Sequence, residues 1–384
     1  MSESELVLRG WKVVRASELC ALRRGFDITL ATSEPGHIPV YSSSGVAYYH
    51  STAMATGPAV VTGRKGLLGR VFLVNEPFWP HDTTLWATDF NGNDPAYVAL
   101  VLEEFHLERL DAATSVPTLN RNNLEGHQVA IPARRSEQEA ISKVASDAAN
   151  AIASFERLIA KKREIKQGMM QQLLGGQTRL PGFNRPWIRT RLGDVARMGS
   201  GGTPDSKNPA FYGGGIPWVS IADMTSRGKY TKGSEKTLSQ AGLDASAARL
   251  YAPGTILYAM YASIGKCSIA PGAVSSSQAI LGITSEADLD TEYLYYLLTS
   301  LRPKVREMGQ QGTQANLNAT MVRNLALELP VPAEQRAIAS VLADVDEDLD
   351  ALESKLAKWV EVKQGMMQQL LTGRTRLTAG ENAL

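Results

Sequence analysis

The sequence predicts an α+β protein written twice, with two mixed α/β front parts, each followed by a long helix. Three observations carry this. The nine-residue segment KQGMMQQLL at 166–174 returns unchanged at 363–371, too long an identity for chance outside low-complexity sequence. Each copy closes a stretch with helical spacing of apolar residues. The residues ahead of each stretch alternate short β-rich runs with Gly, Pro and Ser turns. The expected division is 1–133 for the first front part, 134–180 for its helix, 181–332 for the second front part and 333–384 for the second helix.

Around the identical segment the match loosens but keeps its frame. Thr178-Arg179-Leu180 returns as Thr375-Arg376-Leu377, Glu137-Gln138 as Glu334-Gln335, and Leu119-Asn120 as Leu317-Asn318. Asp94-Pro95-Ala96-Tyr97 aligns with Asp290-Thr291-Glu292-Tyr293, and Trp11 stands near Trp187. Between such landmarks the front parts differ. A duplication that keeps its frame and varies its front suits two readers of different targets. A two-domain scaffold with drifted loops is the alternative.

Residues 137–174 hold no proline, and Ile141, Val144, Ala148, Ala151, Phe155, Leu158, Ile165 and Met169 fall on heptad-like spacing. Ile338, Leu342, Val345, Leu349, Leu352, Leu356 and Trp359 repeat the pattern. Pro132 and Pro332 stand just upstream, Ser136 offers a cap, and Gly175-Gly176 and Gly373 mark the stops. About 38 residues at ~1.5 Å rise make a rod of roughly 55 Å. Its narrow apolar stripe is most simply buried by pairing the two helices as an antiparallel coiled coil with an internal pseudo-twofold repeat. Gly168 and Gly365 interrupt the helical pattern in both copies, which suggests a close helix approach there. The surrounding residues Gly168, Met169, Met170, Gln171 and Gly365, Met366, Met367, Gln368 form the candidate partner-docking surface. The Met pairs fit either an adaptable contact or ordinary core.

In the front parts, Pro58-Ala59-Val60-Val61, Val71-Phe72-Leu73-Val74, Thr255-Ile256-Leu257-Tyr258 and Ala279-Ile280-Leu281 read as strands. Short helices are expected to begin at Asp94-Pro95 and Leu289-Asp290, with aspartate capping and Pro95 suited to the first helical position. Catalytic chemistry finds little footing. Asp94-Pro95-Ala96-Tyr97 and Asn208-Pro209-Ala210-Phe211 approach the D-P-P-Y and N-P-P-F loops of amino-methyltransferases, but alanine holds the third place and no glycine-rich cofactor loop precedes either. Ser263-Ile264-Gly265-Lys266-Cys267 has the end of a P-loop but Met260 where its first glycine belongs. His37, His50, His81, His106 and His127 lack metal-ligand spacing.

Hydrophobic residues make up 43% and charged residues 21%, an ordinary globular balance. The opening lacks the pattern of a signal peptide, and two distant cysteines, Cys20 and Cys267, form no disulfide framework. A reducing cytoplasm is expected. The net charge of +1 does not by itself suggest nucleic acid. It is uneven, however, with Arg179, Arg185, Arg189, Arg191 and Arg197 in one stretch and Asp344, Asp346, Glu347, Asp348, Asp350 and Glu353 in another.

The second front part holds Gly201-Gly202-Thr203-Pro204, Asn208-Pro209 and Tyr212-Gly213-Gly214-Gly215-Ile216-Pro217-Trp218-Val219. Ser263-Ile264-Gly265-Lys266, Ser277-Gln278-Ala279-Ile280, Thr313-Gln314-Ala315-Asn316-Leu317-Asn318 and Leu329-Pro330-Val331-Pro332 follow. In this order they resemble the specificity subunits of Type I restriction-modification systems. The first copy shows Ile38-Pro39, Val116-Pro117-Thr118-Leu119-Asn120 and Ile131-Pro132, with Gly63-Arg64-Lys65-Gly66 in place of the SIGK run.

The resemblance implies two target recognition domains, each reading half of a bipartite, asymmetric site in double-stranded DNA, with the long helices as spacers that set the gap. It implies two docked methyltransferase subunits that methylate adenine N6 and hold the S-adenosylmethionine, with no cofactor, metal or catalytic residue in this chain. Restriction subunits join such complexes. A non-specific assembly scaffold and a degenerate DNA methyltransferase are the competing readings. Polar and basic loop residues are the candidate DNA contacts: Tyr41, Ser42, Ser43, Arg64 and Lys65 in the first front part, and Arg227, Lys229, Tyr230, Lys266 and Gln278 in the second. Arg and Lys suit guanine, and Gln suits adenine.

Overall fold

The computed structural model describes residues 10–110, 117–124, 126–226, 228–310 and 316–377. Arg227 and the stretch Thr313-Gln314-Ala315 lie outside the described residues. The chain forms two compact units, Met1–Glu156 with Ser354–Leu384, and Arg157–Glu353. Each unit thus holds one front part, the first half of the helix that follows it, and the last half of the other long helix.

In the first unit the strands are β1 (Trp11–Arg15), β2 (Arg23–Arg24), β3 (Ile38–Ser42), β4 (Gly45–His50), β5 (Ala55–Thr56), β6 (Ala59–Gly63), β7 (Val71–Val74), β8 (Pro77–Pro80), β9 (Thr84–Ala87) and β10 (Gln128–Pro132). They build an antiparallel pair β1-β10, an antiparallel sheet β2-β9-β6-β7, and a sheet β4-β3-β8-β5 in which β3 and β8 run parallel. In the second unit they are β11 (Ile188–Arg191), β12 (Ala196–Ser200), β13 (Tyr212–Val219), β14 (Lys236–Leu238), β15 (Ile256–Ala259), β16 (Cys267–Ile269), β17 (Ser275–Ser276), β18 (Ile280–Ser285) and β19 (Ala326–Leu329). The plan repeats as a pair β11-β19, a sheet β12-β18-β15-β16, and a sheet β14-β13-β17 with β13 and β17 parallel. Front parts that share only scattered landmarks therefore share their topology.

The central strands show how divergent sequence keeps one plan. All five residues of β6 are buried. Val60 enters one apolar cluster, while Ala59 and Val61 enter another. Along β15, Ile256 and Tyr258 face one cluster and Leu257 and Ala259 the other. A strand sends alternate side chains to opposite faces, so one apolar run serves two cores without fixed residue identities.

The four longer helices are α1 (Pro95–Glu104), α2 (Arg135–Leu174), α3 (Thr291–Gln310) and α4 (Pro332–Leu371). Asp94 caps α1 by accepting from the Tyr97 N–H at 2.9 Å, and Asp290 accepts from Tyr293 N–H at 2.9 Å at the start of α3. These are the starts the sequence suggests, although α3 continues for 20 residues. Helices α2 and α4 are 40 residues each. Pro332 is the first residue of α4 rather than upstream of it, where its missing N–H costs no helical hydrogen bond. Past their ends, Gly176 and Gly373 take left-handed conformations, with φ of +67° and +70°.

Two expectations about the long helices need correction. The stripe is not a strict heptad: Leu158 and Ile165 are about half exposed and Trp359 is 39% exposed, while Ile159, outside the expected set, is buried. Gly168 and Gly365 are also not points of close approach among the described residues, since a Cβ at either would meet nothing within 4 Å.

Candidate nucleic-acid interface

Two contacts fix each front part to the long helices, and both are built from repeated residues. Gln138 accepts from the Asp94 backbone N–H at 2.8 Å and donates to Asn93 Oδ1 and Pro132 O. Gln335 accepts from Asp290 N–H at 2.8 Å and donates to Asp288 O and Pro330 O. Glu137 takes a two-pronged bond from Arg376 at 2.6 and 2.7 Å, and Glu334 takes the same bond from Arg179 at 2.6 and 2.7 Å. The arginines lie over Trp11 and Trp187, at 5.9 and 5.5 Å from the ring centres. In both units the glutamate begins one long helix and the arginine follows the end of the other. A fork of this kind is the stronger sort of charge-assisted bond.

On this frame the first unit assembles its candidate contacts from two loops. Ser42 ends β3 and Ser43 follows in the turn, and the loop after β6 carries Arg64 and Lys65. Ser42 Oγ donates to Gly45 O at 3.0 Å, and Arg70 donates from the second loop to Ser44 O at 3.1 Å. Gly66 holds φ at +84°, beside Ser43 Oγ. Lys65 is exposed, whereas Arg64 is half-buried and donates to Asp82 O at 2.9 Å. Tyr41 packs against Phe72 and Phe78, with ring centres 5.8 and 5.9 Å apart. Burial first, then the Glu76 carboxylate, pushes its hydroxyl above the ordinary tyrosine value.

The second unit spreads its candidates over two places. Gln278 is exposed and accepts from the Thr203 hydroxyl, which joins the SQAI run to the GGTP run. That corner is closely packed: a Cβ at Gly201 would meet Ser276 O at 2.3 Å, and Trp218 Nε1 donates to Gly202 O at 3.0 Å. Lys266 closes the loop after β15, just before β16, the position Arg70 occupies before β7, while Met260 stands where Arg64 does. The bond from Leu317 N to Met260 O, 2.9 Å, matches that from Leu119 N to Arg64 O, 2.8 Å. Lys266 donates to Thr225 O at 3.1 Å, and burial, then Arg302, lowers its ammonium below the usual lysine value.

Lys229 departs from its expected role as a base contact. Its side chain is only 15% exposed and forms an ion pair with Glu292. It also lies 4.5 Å from the centre of the Tyr296 ring. Tyr230 donates to Glu292 at 2.5 Å. These side chains bind their own unit, a role that their loop position does not disclose.

The Met pairs also turn inward. Met367 is 7% exposed in the first unit's core, Met366 packs against it, and Met169 and Met170 pack against the second unit's core. Of the residues expected to dock a partner, the methionines therefore pack against their own unit. Gln167, Gln171, Gln172, Gln364, Gln368 and Gln369 are all exposed. Trp359, expected in the helix seam, is 39% exposed on α4, beside Val360 and Val362 at 38% and 43%.

The acidic start of α4 is answered within the second unit by the basic part of α2, in the pairs Lys162–Asp348, Arg163–Glu353 and Lys166–Asp346. The partners fall from Asp348 and Glu353, at Lys162 and Arg163, to Asp346 at Lys166, so the two segments run antiparallel there. Arg185, Arg189, Arg191 and Arg197 stay exposed.

These features define a duplicated α+β protein whose repeated residues build one frame twice and whose loops differ. The family model for the type I restriction modification DNA specificity domain matches residues 9–166 and again 184–362, and the chain belongs to that family. It is 26% identical over 174 residues to the type I restriction enzyme MjaIX specificity subunit of Methanocaldococcus jannaschii, 44% of this chain and 40% of that subunit. The chain thus spans about two fifths of that relative's length. To the MjaVIII specificity subunit of the same organism it is 23% identical over 300 residues, 73% of this chain and 70% of that subunit. In fold it resembles the type I restriction-modification S subunit of M. genitalium, with a TM-score of 0.66, 13% identity and coverage of 96% and 98% of the two chains.

Proposed function

We propose that this chain reads a bipartite, asymmetric site in double-stranded DNA as the non-catalytic specificity subunit of a Type I restriction-modification complex in the cytoplasm. Each front part reads one half-site. The long helices act as an antiparallel coiled-coil spacer with pseudo-twofold character and set the gap. The division into domains follows the repeat: 1–133 and 181–332 read, 134–180 and 333–384 space and dock.

The observation that carries this is the contrast between frame and loops. The Glu–Arg forks and the glutamine contacts recur nearly unchanged. The loops after β3 and β13 differ in sequence and length, and those after β6 and β15 keep one length but differ in sequence. Fixed elements with variable loops are how one scaffold presents different contacts. Phosphate contacts position a DNA-bound protein while base edges specify sequence. Ser42, Ser43, Arg64 and Lys65 in one unit, and Lys266 and Gln278 in the other, are the readers this assigns. Gln278 lends its amide oxygen to Thr203, so it offers a base its N–H groups.

Docking of two identical methyltransferase subunits is supported by the exposed part of the repeat. Internal packing requires the Met and Leu of KQGMMQQLL. It does not require the same exposed glutamines, or a glycine with open space, at both positions. One partner surface used twice explains that identity. S-adenosylmethionine and adenine-N6 transfer then belong to the partner, and restriction subunits join through it.

Methylome sequencing of cells that carry this chain with a cognate methyltransferase tests the reading. A split motif with a fixed gap is expected. An unsplit motif, or methylation by the isolated chain, overturns it.

A further inference from the structure

One contact between front part and long helices differs in kind between the units. At the helix that follows the capping aspartate, Ala96, Ala99 and Leu100 of α1 correspond to Glu292, Tyr295 and Tyr296 of α3. In the first unit Leu100 borders a groove with Ile152 and Lys363. In the second the place is taken by a charged network. Lys229 pairs with Glu292, donates to the Tyr296 hydroxyl at 3.0 Å, and lies 5.4 Å from the rings of Tyr230 and Tyr295. The Tyr296 hydroxyl donates to Asp346 at 2.6 Å. Asp346 pairs with Lys166, whose ammonium is 5.6 Å from the Tyr296 ring. The loop after the Ile221–Ser226 helix, α3, α4 and α2 thus meet at one tyrosine hydroxyl.

We infer that Lys229 and Tyr296 are positioning residues, which fix how the second front part sits on the helical segments of its own unit and so aim its reading loops. This rests on the reading of the front parts as DNA readers. Partly buried cations held over aromatic rings and against carboxylates tolerate few geometries, and loss of one member leaves its partner's charge uncompensated. Leu100 and its neighbours impose no comparable directionality on the first unit. The chain therefore holds its two readers by different chemistry, and a defect in the network should be felt by one half-site alone.

Amide hydrogen exchange on the full chain tests the network directly. Lys229→Met and Tyr296→Phe, the latter keeping the ring and its packing, should each speed exchange in Thr291–Gln310 by about tenfold or more. Pro95–Glu104 should stay within about twofold, and Lys229→Arg should restore most of the protection. No change in Thr291–Gln310, or an equal rise in both helices, overturns the inference. The second arm is methylation by each variant with its partner subunit. Base discrimination should relax at one half-site and hold at the other. Faster exchange with discrimination intact at both half-sites would make the network structural only and overturn the positioning role. If the unmodified chain directs no split methylation, the DNA reading itself fails, and the exchange arm still reports whether the network holds α3.

Discussion

Glu137 and Glu334 have side chains 4% and 1% exposed, yet each is matched by an arginine far away in sequence. Such carboxylates are stable only while the partner stays, because a buried charge without compensation is costly. The same burial protects the two thiols. It pushes Cys20 up to about 12, with Asp89 adding to the effect, and Cys267 up to about 11, from an ordinary value of 9.0. Folding therefore favours the protonated form. Any contribution to stability is complete below about pH 9 and declines as the pH rises toward 11 to 12, because the unfolded chain ionises first. We expect neither thiol to react with a disulfide reagent in the native chain at pH 8, and both to react promptly in denaturant. Rapid native labelling of either would contradict its burial.

At the scale of elements, the long helices carry information that their stripe alone does not. A glycine inside a helix costs about 1 kcal/mol relative to alanine, and among the described residues nothing would meet a Cβ at Gly168 or Gly365 within 4 Å. Gly168→Ala and Gly365→Ala should therefore stabilise the isolated chain by up to about 1 kcal/mol each in chemical denaturation. If a partner packs against this surface, the same variants should weaken its binding in a pull-down or calorimetric titration. The segment after α4 has the opposite standing. Arg376 reaches Glu137, and Leu377 packs against the core of the first unit. Truncation after Gly373 should lower the unfolding transition of the first unit by roughly 5 °C in calorimetry. The second unit has its own fork from Arg179 and should be unaffected.

For the whole molecule, duplication means that function divides where the loops divide. Replacing residues 1–130 by the corresponding part of a relative with another target should change one half-site in the methylome and leave the second half-site intact. A change in both halves, or in neither, would show that a front part does not read alone. The near-neutral net charge of +1 belongs at this scale too. It sums both signs over the whole chain and carries no record of place, whereas Arg185, Arg189, Arg191 and Arg197 are exposed within one stretch.

The sequence by itself determined the duplication, the long helices with their glycine stops, the capped starts of α1 and α3, and the family. These are local or repetitive features: identity over nine residues, helical spacing and cap chemistry are visible along the chain without knowledge of what packs against what. The tertiary structure alone decided what the repeated residues do. Thr178-Arg179-Leu180 and Glu137-Gln138 were legible as repeats, but no spacing rule pairs Arg179 with Glu334 or Arg376 with Glu137. The candidate site was legible only in part for the same reason. Ser42, Ser43, Arg64 and Lys65 come together because β3 and β6 place their loops side by side. Along the chain Lys229 reads as an open loop cation, whereas Glu292 and Tyr296, distant in sequence, hold it. Whether a polar side chain faces solvent or its own fold depends on neighbours brought near by topology, and a linear pattern of residues carries no record of them.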